Sequence, residues 1–291
     1  MDGILVVNKP RGMTSHDVVA RVRQLTRHAA RRVGHAGTLD PMATGVLLVC
    51  LGRATRVAEY LTGSDKTYRA VLRLGVETDT YDAEGQVVAA RPVNVTEAEV
   101  QAALCGFVGE IDQVPPMYSA LKRDGKPLYK LARKGIEVER EPRHVRMYEI
   151  TLRTFEPPDV TMDVRCSSGT YIRSLAHDIG AALGCGAHLI ELTRLASGSF
   201  SIDEAVKLED LRGLAGLEGL LRPLDAALQD LPAVTLDADQ ARRVTVGQSI
   251  SLEGVAASAS LLRVYDSDGA MLAIMTYDLV SQSWRPKKVL A

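Results

Sequence analysis

The chain has 291 residues, 46% of them hydrophobic and 24% charged, with a formal net charge of −1. Those totals exclude a disordered, fibrous or uniformly basic chain, and the length suits one large domain or two ordinary ones. The charge is nevertheless uneven. Residues 1–60 carry nine Lys/Arg against four Asp/Glu, residues 117–146 repeat that balance, and 200–240 leans acidic. Such polarity suits a polyanionic partner, although solvated helix faces would look the same.

In chain order, "GILVVNKPRG" reads as a short buried strand ending in a Pro/Gly turn. "TSHDVVARVRQL" follows as a helix capped by Thr14 or Ser15, with Val18, Val22 and Leu25 on one face. "VGHAGTLDP" is expected in the loop after that helix, and "ATGVLLVCLG" is a strand buried on both sides. "KTYRAVLRLG" alternates, placing Tyr68, Ala70, Leu72 and Leu74 together. "TEAE" at 96–99 is a capping box for a helix running to Gly106. The basic stretch 117–146 has few large apolar residues and reads as an excursion from the body, with a short helix between Pro127 and Gly135.

"VTMDVRCSSGTYIRSLAHDIGAAL" reads as strand, Ser/Gly turn and helix, and "AHLIELTRLASGSF" as a further strand pair. After about 231 the texture becomes short strands with a hairpin at Asp268-Gly269. The expected class is therefore α+β: a mixed, mostly antiparallel sheet with flanking helices in residues 1–230, plus a small β-rich module in 231–291. Four cysteines stand far apart, without metal-ligand spacing. The start lacks a signal-peptide pattern and no apolar run is long enough to span a membrane, so the expected location is the cytoplasm.

Two residues invite chemistry. Asp40 is a lone carboxylate at the lip of an apolar segment, with Gly34, Gly37 and Gly45 leaving room for a close approach. Arg173 falls in the first turn of a helix, where the macrodipole disfavours a cation unless a carboxylate offsets it. The two could pair, either as a structural ion pair or as a guanidinium that keeps a buried nucleophile or base ionised.

Six blocks, "GILVVNKPRGMTSHDVV", "VGHAGTLDPMATGVLLVCLG", "DKTYRAVLRLG", "PMYSALKRDGKPLYKLARKGIEVEREPR", "CSSGTYIRSLAHDIG" and "GCGAHLIELTRLASG", together resemble the TruB-type tRNA pseudouridine synthases. They occur in family order and cover roughly residues 3–210. Where many members read Gly-His-Thr-Gly, this chain has Ala36. The resemblance implies a catalytic domain of the pseudouridine synthase type that converts uridine 55 in the T arm of tRNA to pseudouridine, without cofactor or metal.

By similarity, Asp40 is the nucleophile and Arg173 its ion-pair partner. Tyr68 stacks on the target base, Tyr171 and Leu192 line the same pocket, and His35 stands against the flipped nucleotide. The 117–146 stretch corresponds to an RNA-gripping insertion, with Lys122, Arg123, Lys130 and Arg133 as candidates for the RNA backbone. The tail resembles a PUA-like module. The resemblance further implies a monomer that needs no guide RNA, protein partner or membrane. Residue types fit attack at C1′, addition to C6 and removal of the C2′ proton equally.

Overall fold

The computed structural model describes residues 1–26, 29–119, 121–123, 126–132, 136, 138–211, 213–252, 255 and 260–291. The chain runs β1 (Gly3–Lys9), α1 (Ser15–Thr26), β2 (Val33–Ala36), β3 (Thr44–Leu51), α2 (Ala58–Gly63), β4 (Lys66–Leu74), β5 (Val76–Thr78), β6 (Val87–Ala90), α3 (Glu97–Gly106) and β7 (Gly109–Gln113). The excursion holds β8 (Lys122–Arg123), β9 (Lys126–Pro127) and α4 (Leu128–Ala132). Then come β10 (Arg143–Glu156), β11 (Asp159–Cys166), α5 (Ile172–Ala182), β12 (Ala187–Ser197), β13 (Phe200–Ser201), β14 (Val206–Lys207) and α6 (Gly213–Glu218). The tail supplies β15 (Ala233–Thr235), α7 (Ala238–Thr245), β16 (Leu261–Tyr265), β17 (Met271–Asp278) and β18 (Ser283–Val289).

The body is built on one sheet in the order β14-β1-β3-β12-β4-β11-β10-β7, with β2 added to β3 and β13 to β12. Within this sheet, only the β1–β14 and β3–β12 pairs are parallel among the described residues. This is the α+β class expected, a mixed and mostly antiparallel sheet.

Sequence pattern accounts for the central strands. In β3 every residue from Gly45 to Leu51 is buried, because both of its faces are covered. In β4, Lys66, Tyr68, Ala70, Leu72 and Leu74 point inward while their neighbours are exposed or half-buried. One apolar cluster joins α1, β3, β4, β11, β12, α3 and α5, with Val18, Leu47, Leu72, Leu104, Met162 and Leu175 fully buried. Thr96 and Glu99 close the capping box expected at the start of α3.

A second sheet, β15-β16-β17-β18, surrounds Trp284, which is 1% exposed. Val57, Leu228, Ile274 and Leu290 form an apolar seam between this sheet and the body. Lys288 Nζ crosses the seam to Glu59 Oε1 at 2.9 Å.

The tail corrects one expectation. "ADQARRVT" forms a helix, α7, where short strands were expected, and its start is fixed by a capping box between Asp237 and Gln240. Only Val244 of that helix is buried, so it carries no apolar stripe by which a helix would announce itself. The Gly34–Asp40 stretch also differs from a simple loop, since Val33–Ala36 pair antiparallel with Ala36 against Leu48 before the chain turns at Gly37.

Candidate active site

The loop carrying Asp40 leaves β2 and is held from behind by the chain's first turn. Ser15 Oγ accepts from Leu39 N at 2.9 Å and donates to Leu39 O at 3.2 Å. Gly12 N donates to Pro41 O at 2.8 Å. Lys9, 0% exposed, donates Nζ to Met13 O at 2.6 Å, Pro10 O at 3.0 Å and Pro41 O at 3.3 Å. Burial pulls the Lys9 pKa down to about 8, while the charge of Asp40 works against that fall. "NKPRGMTS" is therefore the brace of the Asp40 loop.

Arg173 enters from the first turn of α5, whose N-cap, Tyr171, has no side-chain cap. Gln113 of β7 takes that role with a reciprocal pair: Tyr171 N donates to Gln113 Oε1 at 2.7 Å, and Gln113 Nε2 donates to Tyr171 O at 3.0 Å. The buried guanidinium meets Asp40 Oδ2 at 3.1 Å, although the two residues are far apart in the chain.

It also meets a second carboxylate, which sequence reasoning missed. Asp82, 3% exposed, accepts from the other terminal nitrogen of Arg173 at 3.0 Å. Its remaining oxygen accepts from Thr80 Oγ1 at 2.7 Å and Glu84 N at 3.1 Å. Tyr118 O completes the guanidinium's partners at 3.1 Å. The signal in the sequence was "TDTYDAEG", a Thr/Asp turn between strands, together with the need of a first-turn arginine for a counter-charge.

The expected opposition of burial and guanidinium is present at Asp40, with Asp82 as an added contributor. Desolvation pushes the Asp40 pKa up, Arg173 opposes it, and the charge of Asp82 adds to the rise. A carboxylate poised above its ordinary value is the stronger base and nucleophile once ionised.

Asp40, Arg173, Tyr68, Tyr171 and Leu192 line one cleft of about 390 Å³, within the range of small-ligand sites. Tyr68 is 9% exposed, and burial raises its phenol pKa while the neighbouring Arg194 lowers it. Burial likewise raises that of Tyr171. Leu192 is 7% exposed and reaches the cleft from β12.

His35 does not line this cleft. It lies on β2 edge-on to His16, with ring centroids 5.0 Å apart, and burial lowers its pKa. Arg133 lies outside the described residues, and only the backbone of Lys122, Arg123 and Lys130 is described. Among the described residues no cluster of His, Cys, Asp and Glu could hold a metal ion. No helix of the described residues is long and apolar enough to cross a membrane.

Residues 23–172 match the TruB family pseudouridylate synthase N-terminal domain, residues 173–229 a tRNA pseudouridylate synthase B C-terminal domain, and residues 232–272 a pseudouridine synthase II TruB C-terminal domain. The chain belongs to the TruB family of pseudouridylate synthases. A tRNA pseudouridine synthase B of Ralstonia pickettii (strain 12J) is 49% identical over 284 residues, covering 96% of this chain and 89% of that protein. One from Syntrophotalea carbinolica is 51% identical over 250 residues, covering 85% and 81%.

Among solved structures, a Cbf5-Nop10-Gar1 complex aligns with a TM-score of 0.76 and 29% identity, over 99% of this chain and 85% of that one. An H/ACA RNP bound to a substrate RNA containing 2′-deoxyuridine aligns at 0.75 and 27%, over 99% and 85%. As a TruB-family synthase the protein is an isomerase, and the cleft around Asp40 is its candidate active site.

Proposed function

We propose that this protein isomerises uridine 55 in the T arm of tRNA to pseudouridine, with Asp40 as the nucleophile. The observation that carries the reading is a half-exposed carboxylate, held 3.1 Å from a buried guanidinium, in a cleft walled by two tyrosines. Extruding a base from an RNA stack costs a few kcal/mol, and aromatic faces offset that by holding the freed ring. Tyr68 and Tyr171 supply such faces. Asp40 then acts on the nucleoside, the N-glycosidic bond breaks, the ring is rejoined to C1′ through C5, and the proton lost from C5 is matched by one gained at N1, so the product is an isomer of the substrate.

Glycosidases need a second acid to protonate the leaving group. Uracil departs as a stabilised anion and stays in the cleft, so one carboxylate suffices. Arg173 orients Asp40 and is itself fixed by Asp82.

The reading extends to the substrate's wider grip. The excursion at 117–146 holds the RNA backbone through Lys122, Arg123, Lys130 and Arg133, His35 braces the disturbed loop, and residues 231–291 form a PUA-like unit beside a catalytic unit of residues 1–230. The protein acts as a monomer in the cytoplasm, without guide RNA. Near 50% identity to proteins named tRNA pseudouridine synthase B, against 27–29% to chains solved in H/ACA assemblies, favours the stand-alone reading.

The test is incubation of the purified protein with an unmodified tRNA transcript, followed by mapping of pseudouridine at single-nucleotide resolution. Product at position 55 without a guide is expected. Tight binding without product would instead make the protein a tRNA-binding folding factor. Charge reversal at two or three of Lys122, Arg123, Lys130 and Arg133 should weaken tRNA binding and flatten its salt dependence, and an unchanged slope would remove the excursion from the phosphate contacts.

A further inference from the structure

A second guanidinium lies buried at the cleft, and the chemistry above makes no use of it. Arg194 of β12 is 1% exposed. It donates Nε to Val46 O at 2.6 Å and a terminal nitrogen to Gly37 O at 2.9 Å. Where Arg173 has two carboxylates, Arg194 has none among the described residues.

Two glycines border this residue. Gly37 turns with φ +79° beside the guanidinium, and a Cβ there would sit in ordinary contact, 3.4 Å, with an Arg194 terminal nitrogen. Gly45 has φ +96°, and a Cβ there would overlap the Arg194 carbonyl oxygen, so this glycine serves the close approach of β3 to the β12 backbone. A cation buried against neutral carbonyls is costly, and an apolar side chain would fill the space without that cost. Its charge therefore points to a task.

Tyr68 is the direct cross-strand neighbour of Arg194 in the β4–β12 pair, both residues line the cleft, and the guanidinium draws the phenol's pKa down against the rise from burial. Arg194 thus links the loop that leads to Asp40 with the strand position beside Tyr68, in the cleft that Asp40 also lines. A charged donor makes a stronger and more directional bond to a phenol oxygen than a neutral one.

We propose that Arg194 is a positioning residue for the base: anchored on Gly37 and Val46, it holds the Tyr68 ring by its hydroxyl at the setting that keeps the detached uracil opposite Asp40. The uncancelled positive charge also favours retention of an anion there. The proposal rests on the isomerase reading.

The experiment is single-turnover pseudouridine formation on an unmodified tRNA transcript by wild type, Arg194→Lys, Tyr68→Phe and the double variant, with tRNA Kd and thermal midpoint measured alongside. Turnover by wild type separates the two readings: its absence overturns the isomerase reading and the proposal together. With turnover present, each single variant should be slower by about tenfold or more at a Kd within about threefold of wild type, and the double variant no more than about threefold slower than the slower single.

Slowing that multiplies across the two sites overturns the proposal, as does a wild-type rate for Arg194→Lys. A strut role alone would lower the midpoint and slow both backgrounds alike, which also overturns it. If Arg194→Lys does not fold, Tyr68→Phe decides, since it removes only the hydroxyl that Arg194 holds. A drop of about tenfold in rate at unchanged Kd supports the proposal, and a wild-type rate refutes it.

Discussion

Two aspartate–arginine triads in this fold have inverted stoichiometry. In the cleft one guanidinium, Arg173, serves two carboxylates, Asp40 and Asp82. On β11 one carboxylate, Asp163, serves two guanidiniums, Arg69 of β4 at 2.8 Å and Arg153 of β10 at 2.7 Å. The consequences are opposite. Hydrogen bonding from Arg69, then from Arg153, outweighs burial and holds the Asp163 pKa below the ordinary carboxylate value. At Asp40, burial outweighs a shared arginine and the pKa rises. Identical residue types give a satisfied cross-strand clamp in one place and a poised carboxylate in the other, because two guanidiniums bond one carboxylate at Asp163 while one guanidinium is shared by two at Asp40.

The largest effect should come from separating charge from shape at Asp40. Asp40→Asn is expected to lower the single-turnover rate by about a thousandfold or more while tRNA affinity stays within about threefold. Activity within about tenfold of wild type would exclude nucleophilic catalysis by this residue. Next comes Asp82→Asn, which leaves Arg173 with a single carboxylate and should slow turnover by about tenfold. Its pH dependence carries a sign: the charge of Asp82 raises the Asp40 pKa, so its removal should move the acid limb of the rate to lower pH. An unmoved or upward-shifted limb in a pH–rate series would break the electrostatic link between the two carboxylates.

What the sequence revealed follows from how locally each feature is determined. The alternation of β4 and the "TEAE" box of α3 depend on neighbours within one element, so both were legible. Asp40 and Arg173 could be paired on paper because each stood out locally, one by apolar surroundings and the other by an unfavourable helix position. Asp82 did not stand out. Thr80 and Glu84 satisfy it as ordinary turn chemistry, and its bond to Arg173 spans 91 positions. Lys9 read either as a substrate contact or as the end of a strand, since nothing nearby in sequence announces that its ammonium is caged by carbonyls that include Pro41 O. Helix α7 was masked for a different reason: its stability comes from a cap and one buried valine rather than from a stripe.

The clamp at Asp163 should respond in stability and not in rate. Because its folded pKa lies below the ordinary value, its contribution is fully present above that value and disappears as pH falls through the folded one. Asp163→Asn should therefore cost about 1–2 kcal/mol at neutral pH in a denaturant titration, lose less than wild type on acidification, and leave turnover unchanged. Asp40 has the opposite sign: the stability tied to its protonated form is present below the ordinary carboxylate pKa and lost as pH rises through the raised one. A flattened acid limb of stability for Asp163→Asn, without one for Asp40→Asn, is the expected contrast.

The smallest effect belongs to Arg73 and Asp159, a two-bond pair at 2.8 Å in direct register on the same two strands. Its bond geometry matches that of Arg69 with Asp163, but the side chains are 45% and 34% exposed, where that of Asp163 is 10% exposed. Solvent competes for the same bonds and screens the charges, so Arg73→Ala should cost less than about 1 kcal/mol. If its cost in a denaturant titration equalled that of Asp163→Asn, bond geometry rather than burial and shared charge would govern these clamps. The contrast between the two triads would then need another cause.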